Sequence, residues 1–536
     1  MKTFNYILLL LLFGLQLPLS AQTDQQSKTF VNPVINADAP DVCVCRVGDT
    51  FYMVSTTMFL MPGVPIMRSK DLVNWEIISY VYEQRDETPN YSLLENKSVY
   101  GRGQWATSLR YHNGKFYVMF ATNDPHMGYI YSTTDPTGKW ELVGKMNQFH
   151  DPSLFFDDDG RVYVFYGTGD VQELKSDLTG PKPDGLKGKT FERAQGERGL
   201  LEGTHAFKYN GKYYLMLITM GRLRSEVCYR ADKITGPWER KVILETNFDK
   251  RGGVGQGNIV DTQDGRWFGM IFQDRGGVGR VPTLMPCRWI DGWPMLGDEN
   301  GNVPKVMEKP IQGYGPVNPI VNSDEFKGEK LALVWQWNHN PVNEAWSLKE
   351  RPGYMRLKTS RLCPNLFLAP NTLTQRTEGP KCSGIVSIDV SKMKDGDIAG
   401  LSAFNGHAAL LSVVMEGKNK FLTMSTNVVE LDNNAGKLVK GVQAEEKERI
   451  PLNKNQVYLK MDFDYEQGKD FVYCYYSLNN KDWTKIGSDF KARFDYQKLF
   501  IGTRFAIFNY ATKQIGGYID VDFFRYKKEN EVVVAN

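Results

Sequence analysis

This chain is poor in the residues that build metal centres and disulfide frameworks. It has 7 cysteines and 6 histidines among 536 residues. An odd cysteine count leaves at least one thiol unpaired. Cys43 and Cys45 are two apart on one strand, where they share a face with Cβ atoms too far apart for a disulfide, so they do not pair with each other. Neither they nor Cys228, Cys287, Cys363, Cys382 and Cys474 stand at zinc-ligand spacing from a histidine, which argues against a structural zinc. Most of these thiols read as buried, with one disulfide left open. Charge of one sign is lacking too. The 65 basic and 62 acidic residues leave a net +3, which points to neither a nucleic-acid nor a membrane-surface partner. Beyond the N-terminus no apolar run is long enough to cross a bilayer, so no membrane insertion is expected. Helical periodicity is nearly absent.

The one apolar run is short. Lys2, the apolar stretch 7–15 and the small residues Ser20 and Ala21 make 1–21 a secretory signal peptide, cut near Gln22. Export to the periplasm or the medium is the expectation.

What the chain has is aromatics, at 12%, and a hairpin that returns five times. A tight turn is followed at once by aromatic residues at Gly48 with Tyr52, Gly114 with Tyr117, Gly160 with Tyr163, Gly211 with Tyr214 and Gly265 with Phe268. Asn113, Asp159, Asn210 and Asp264 precede four of the glycines, the signature of type I′ turns. The glycines recur at intervals of 66, 46, 51 and 54 residues, a period that predicts a β-propeller of five blades. The all-β expectation is a propeller over 30–310, a Pro- and Gly-containing linker over 311–323, and a β-sandwich of jelly-roll type over 324–527. Alternating runs such as Gly384-Ile385-Val386-Ser387-Ile388 carry the last assignment.

The same hairpins predict the site. Asp41, Trp105, Asp151, Glu202 and Gln256 stand 11, 12, 12, 12 and 12 residues before the closing aromatics. If the strand before each hairpin lies nearest the axis, all five face one funnel. A lone carboxylate near a turn is usually a cap. Three at equivalent positions make a site.

At this point the chain resembles a known family. Asn32-Pro33-Val34-Ile35 with Pro40-Asp41, Pro62-Gly63-Val64-Pro65-Ile66, Trp105-Ala106, Asp151-Pro152-Ser153-Leu154, Glu202-Gly203-Thr204-His205 and Gly279-Arg280 resemble, in order, the motifs of glycoside hydrolase family 43. Trp335-Gln336-Trp337 and Arg351-Pro352-Gly353-Tyr354 look like its accessory concanavalin-like sandwich. The resemblance implies an exo-acting inverting hydrolase that removes terminal α-L-arabinofuranose or β-D-xylose from xylan, arabinoxylan or arabinan. It implies Asp41 as general base, Glu202 as general acid and Asp151 as pKa modulator and orienter of the acid. Trp105, Arg280, Gln256 and Phe59 are the implied sugar contacts. Asp38 is a rival base, and Arg222 and Arg224 are either subsite or solvated loop residues. No cofactor is required. Gln256 replaces a common histidine, which weakens the case for calcium in the channel without closing it. A sandwich loop that closes the pocket is implied as well, with 505–508 either that loop or sandwich core. The stretch 55–61 looks closer to the branch in which arabinofuranosidases occur. An endo-arabinanase-like hydrolase and a non-catalytic carbohydrate-binding propeller are the alternatives.

Overall fold

The computed structural model describes residues 28–529 apart from 196, 198, 317 and 433–436. The expected signal peptide, 1–21, lies outside the described residues. Among the described residues the elements are strands and six short 3-10 turns, with no α-helix. Five four-stranded antiparallel sheets succeed one another along the chain. Their first strands, Cys43–Val47, Gln104–His112, Ser153–Phe156, Leu201–Tyr209 and Gly257–Asp261, adjoin around the axis. This is the five-bladed propeller that the hairpin count predicts.

The recurrent spacing has a structural cause. The closing aromatics pair across the hairpin with Cys45, Arg110, Phe155, Phe207 and Val260. In blades two and four the hairpin is tight. Asn113-Gly114 and Asn210-Gly211 both have positive φ, as type I′ turns demand. Those blades also carry a β-bulge, between Gln104 and Thr107 and between Glu202 and His205. Blades three and five have no bulge in this pair but longer loops. There only the glycine has positive φ, and Asp159 and Asp264 accept the N–H of Arg161 and Arg266 instead. Blade one has the tight turn and no bulge, hence one residue less. The expected type I′ turns thus occur in two of the four places, because a bulge and a longer loop each add the same residue.

Polar side chains stitch the inner strands. Val44 and Asn258 exchange hydrogen bonds of 2.9 and 2.8 Å between blades one and five. Arg110 of blade two donates to Leu154 O and Ser153 Oγ of blade three and to Ala206 O of blade four. Thr29–Val31 pairs with Val306–Glu308 and joins the two ends of the ring.

The C-terminal region packs two large sheets face to face around residues such as Leu401, Leu411, Val386 and Met461, all buried. One sheet has an end strand from elsewhere: Leu60–Met61 of blade one pairs with Gln336–Asn338. Residues 311–323 carry no helix or strand among those described. A single apolar cluster runs from Met58, Tyr91 and Tyr100 of the propeller into the sandwich core. All seven cysteines are free thiols.

Candidate active site

Asp41, Trp105, Asp151, Glu202 and Gln256 line one cavity of about 540 Å³, together with Arg280. The five equivalent positions therefore meet, each delivered by the start of an inner strand. Asp41 and Asp151 lie just before their strands with φ of 53° and 47°. Aspartate tolerates this left-handed region better than most residues, and here it turns each carboxyl into the funnel. Glu202 sits at the bulge of blade four, followed by Gly203 at φ 69°. A Cβ at Gly203 would meet the Gln256 side chain at 2.3 Å, so glycine is required there.

The electrostatics divide the pocket. Asp41 is 6% exposed, and Arg280 Nη1 donates to its two oxygens at 3.1 and 3.2 Å. Blades one and four are not neighbours in a ring of five, so Asp41 and Glu202 belong to separate walls. On the second wall the Gly203 N–H donates to Asp151 Oδ2 at 2.9 Å. Burial, and then the nearby Glu202 and Asp41 carboxylates, push Asp151 up to about 6 against the pull of His150. His150 Nε2 lies 3.3 Å from Glu202 Oε2 and 3.7 Å from Asp151 Oδ2. The hydrogen bond to Glu202 and the charge of Asp151 raise His150 to about 9. Sequence reasoning missed His150, although it directly precedes Asp151.

Several polar atoms in this cavity have no partner in the protein. Arg280 Nε and Nη2, Trp105 Nε1 and Asp274 Oδ1 are buried and unpaired. Unpaired buried groups are costly, and three donors beside one acceptor suit a ligand rich in hydroxyls.

The sandwich supplies the remaining wall, but not with 505–508. Those residues lie in the strand Arg504–Ala511, which is buried throughout because it runs in the middle of its sheet. Phe494, Tyr496 and Phe500 reach the cavity instead. The Phe500 ring is 4.5 Å from the Arg280 guanidinium and 5.2 Å from the Trp105 ring.

Three other expectations are corrected or divided. Phe59 does not line the cavity. It is fully buried, 4.6 Å from the Tyr100 ring and 5.1 Å from His339, because the strand that follows it, Leu60–Met61, pairs with the sandwich. Nearby Thr57 acts at one remove: its N–H donates to Gln104 Oε1 at 2.7 Å, beside Trp105. Asp38, the rival base, does not line the cavity, and both of its oxygens are engaged by backbone groups. They accept the N–H of Arg280 and of Gly502, each at 2.8 Å, which ties propeller to sandwich. Arg224 lines the cavity and pairs with Asp274 at 2.7 Å, whereas Arg222 is exposed.

Calcium takes about six to eight oxygen ligands, and three side chains that meet on the inner strands offer it none. Cys43 Sγ lies 3.8 Å from His205 Nδ1 and 3.4 Å from Arg110 Nη1 there. Burial and the Arg110 guanidinium push His205 down to about 3. A thiol, an imidazole and a guanidinium are not calcium ligands.

Comparison with known proteins bears on the whole chain. The family model for glycosyl hydrolases family 43 matches residues 30–294, and that for the beta-xylosidase C-terminal concanavalin A-like domain matches 323–527. A beta-xylosidase of Formosa agariphila is 31% identical, over 94% of this chain and 91% of its own. A non-reducing end alpha-L-arabinofuranosidase of Bacteroides ovatus is 30% identical, over 74% of this chain and 76% of its own. A solved structure described as a bifunctional GH43-CE of Bacteroides eggerthii superposes with a TM-score of 0.86 at 43% identity. That match covers 94% of this chain, which spans 64% of the longer bifunctional one.

Proposed function

This chain belongs to glycosyl hydrolase family 43, and from that membership we propose that it releases a terminal pentose, α-L-arabinofuranose or β-D-xylose, from plant cell-wall polysaccharides or oligosaccharides with inversion. One observation carries the reading. Carboxylates from blades one, three and four share a pocket with unpaired hydrogen-bond donors, and the sandwich walls that pocket on one side.

Inversion needs a base and an acid on opposite faces of the sugar, with room for a water between the base and the anomeric carbon. Asp41 takes the proton of that water as its oxygen bonds to the anomeric carbon. Glu202 gives its proton to the glycosidic oxygen as the bond to it breaks. Asp151 steadies the acid through the Gly203 N–H, and its negative charge opposes the loss of the Glu202 proton. Arg280 holds Asp41 with one nitrogen and keeps Nε and Nη2 for sugar hydroxyls. The aromatic wall of Phe494, Tyr496 and Phe500 supports action at a chain end, because an uninterrupted groove is what a mid-chain cut requires. Export by residues 1–21 belongs to the same reading, and a mature N-terminus near Gln22 is its check.

The test is parallel hydrolysis of aryl α-L-arabinofuranoside and aryl β-D-xylopyranoside, with Asp41→Ala as control and the product anomer read by NMR. Turnover of either substrate to the inverted pentose, abolished in the control, is expected. Release of oligosaccharides from arabinan would replace this with the endo-acting reading. Sugar binding without turnover would make the propeller a carbohydrate-binding module.

A further inference from the structure

The sandwich meets the propeller across a seam that buries two arginines side by side. Arg376 and Arg504 stand directly opposite each other on the paired strands Leu373–Arg376 and Arg504–Ala511, so their side chains leave the sheet on the same face. That face looks at the propeller. Arg376 Nε donates to the Asp38 carbonyl at 2.8 Å, and Gln336 of the adjoining strand donates to the Pro62 carbonyl at 2.9 Å.

Charges at such depth are ordinarily paired. Arg376 is 1% exposed and Arg504 2%, yet among the described residues neither forms an ion pair. Arg504 is held by neutral oxygens, Thr374 Oγ1 at 2.9 Å and Gln336 Oε1 at 3.1 Å. Arg376 Nη1 is buried with no partner at all. Arg85 and Arg280 also bury orphaned nitrogens, but each keeps a carboxylate, Glu87 at 2.6 Å and Asp41 at 3.1 Å.

The acids of the seam do not balance it. Both carboxyl oxygens of Asp38 are taken by the N–H groups of Arg280 and Gly502, and Asp41 is committed to Arg280. The buried guanidiniums of Arg280, Arg376 and Arg504 thus face the buried carboxylates of Asp38 and Asp41 alone, which leaves one positive charge over. Burial pushes the Asp38 carboxyl up, which only widens the excess. Burial, and then the neighbouring Arg376, push Arg504 down to about 9, so it stays charged at neutral pH. A water molecule would satisfy the orphaned N–H but leave the charge. An anion answers both. With so little of either guanidinium exposed, that anion is small.

We propose that the seam holds a small monovalent anion of the chloride type between Arg376 and Arg504, as the counter-ion that fastens sandwich to propeller. The hydrogen bond from Arg376 to Asp38, and from the Arg280 N–H to Asp38, would connect this ion to the pocket wall. The inference does not rest on the proposed function.

The experiment is thermal unfolding of the full-length chain in potassium chloride and in potassium gluconate at equal ionic strength, beside Arg376→Gln. Gluconate carries the same charge on a far larger body. The melting temperature in chloride minus that in gluconate should be higher by about 3 °C in the parent chain than in the variant, as for a ligand that only the folded state binds. An equal difference in the two proteins would overturn the proposal. If Arg376→Gln fails to fold, crystals of the parent chain soaked in sodium bromide decide by anomalous scattering. A bromine peak between the two guanidiniums upholds the site, and a seam without one overturns it. Failure of the proposed function would show separately, as absent turnover of both aryl pentosides by the parent chain.

Discussion

The propeller and the sandwich contribute to one pocket by opposite means. The propeller places a side chain from the same position of every blade: Asp41, Trp105, Asp151, Glu202 and Gln256. The sandwich contributes one irregular segment, 494–500, and a backbone N–H at Gly502 that fastens Asp38. Repetition supplies reacting groups from rigid strand starts, while the non-repeating partner supplies shape. The difference teaches where to look. In a ring of blades the reactive set is found by register, but the wall that decides which substrates enter is a feature of one loop.

Removing one propeller carboxyl should have the largest effect. Glu202→Gln is expected to lower kcat by about a thousandfold on oligosaccharides, within the usual range for general acid–base catalysis. The loss should be smaller on aryl pentosides, whose leaving groups need less protonation. Unaltered turnover of both substrates would end the assignment of the acid, and with it the view that reacting groups come from blade register.

Asp38→Ala probes the seam between the regions. It strands the N–H groups of Arg280 and Gly502, and a loss of about 3 kcal/mol is expected from two buried donors left unpaired. Denaturant unfolding would read it. Asp38→Asn should fall between, since one acceptor remains.

Phe500→Ala sharpens the sandwich's share. The ring covers Arg280 and abuts Trp105, so kcat/KM should fall about tenfold, in keeping with the loss of one cation–π and one aromatic contact. The change should appear chiefly in KM. An equal fall in kcat alone would move Phe500 from wall to chemistry.

The smallest effects lie in pH dependence, and their signs differ. Both His150 and Asp151 are raised, the first by its bond to Glu202 and the charge of Asp151, the second by burial. His150→Gln should remove any limb of kcat/KM that follows a group near 9, and Asp151→Asn any limb that follows a group near 6. Stability divides in the same way. His150 is raised from 6.5 to about 9, so the stabilisation its proton brings is complete below pH 6.5 and is lost as pH rises through 9. Asp151 is raised from 3.8 to about 6, so burial of its charge costs stability above pH 6. Asp151→Asn, which keeps an oxygen for the Gly203 N–H, should be more stable there than the parent chain while less active. Thermal unfolding at pH 5, 7 and 10 would test both.

Much of this was legible in the residues. The hairpin glycines give five blades, and counting back from Tyr117, Tyr163, Tyr214 and Phe268 finds the pocket because bulge and loop compensate. The count is blind to what lies beside the register. His150 escapes it because the register marks Asp151 alone, although a titratable neighbour at a strand start has a short reach to the same funnel. Phe59 was misplaced because sequence does not show that blade one sends a strand into the other region. The run 505–508 reads equally as loop or core. Arg504–Ala511 is a strand buried on both faces, which presents the same unbroken apolar pattern as a hydrophobic loop. No periodicity marks 494–500, which is irregular over most of its length.

Leu60–Met61 completes a sheet whose other strands lie more than 270 residues further along the chain. During synthesis the first blade emerges long before its partner strand Gln336–Asn338 exists, so its outlying edge and the apolar Phe59 wait uncovered. Assembly is thereby ordered in time. The propeller can form early, but its outermost seam closes only when the last third of the polypeptide has arrived. A fragment stopped near residue 310 would keep every carboxylate and still present an open β-edge to its neighbours.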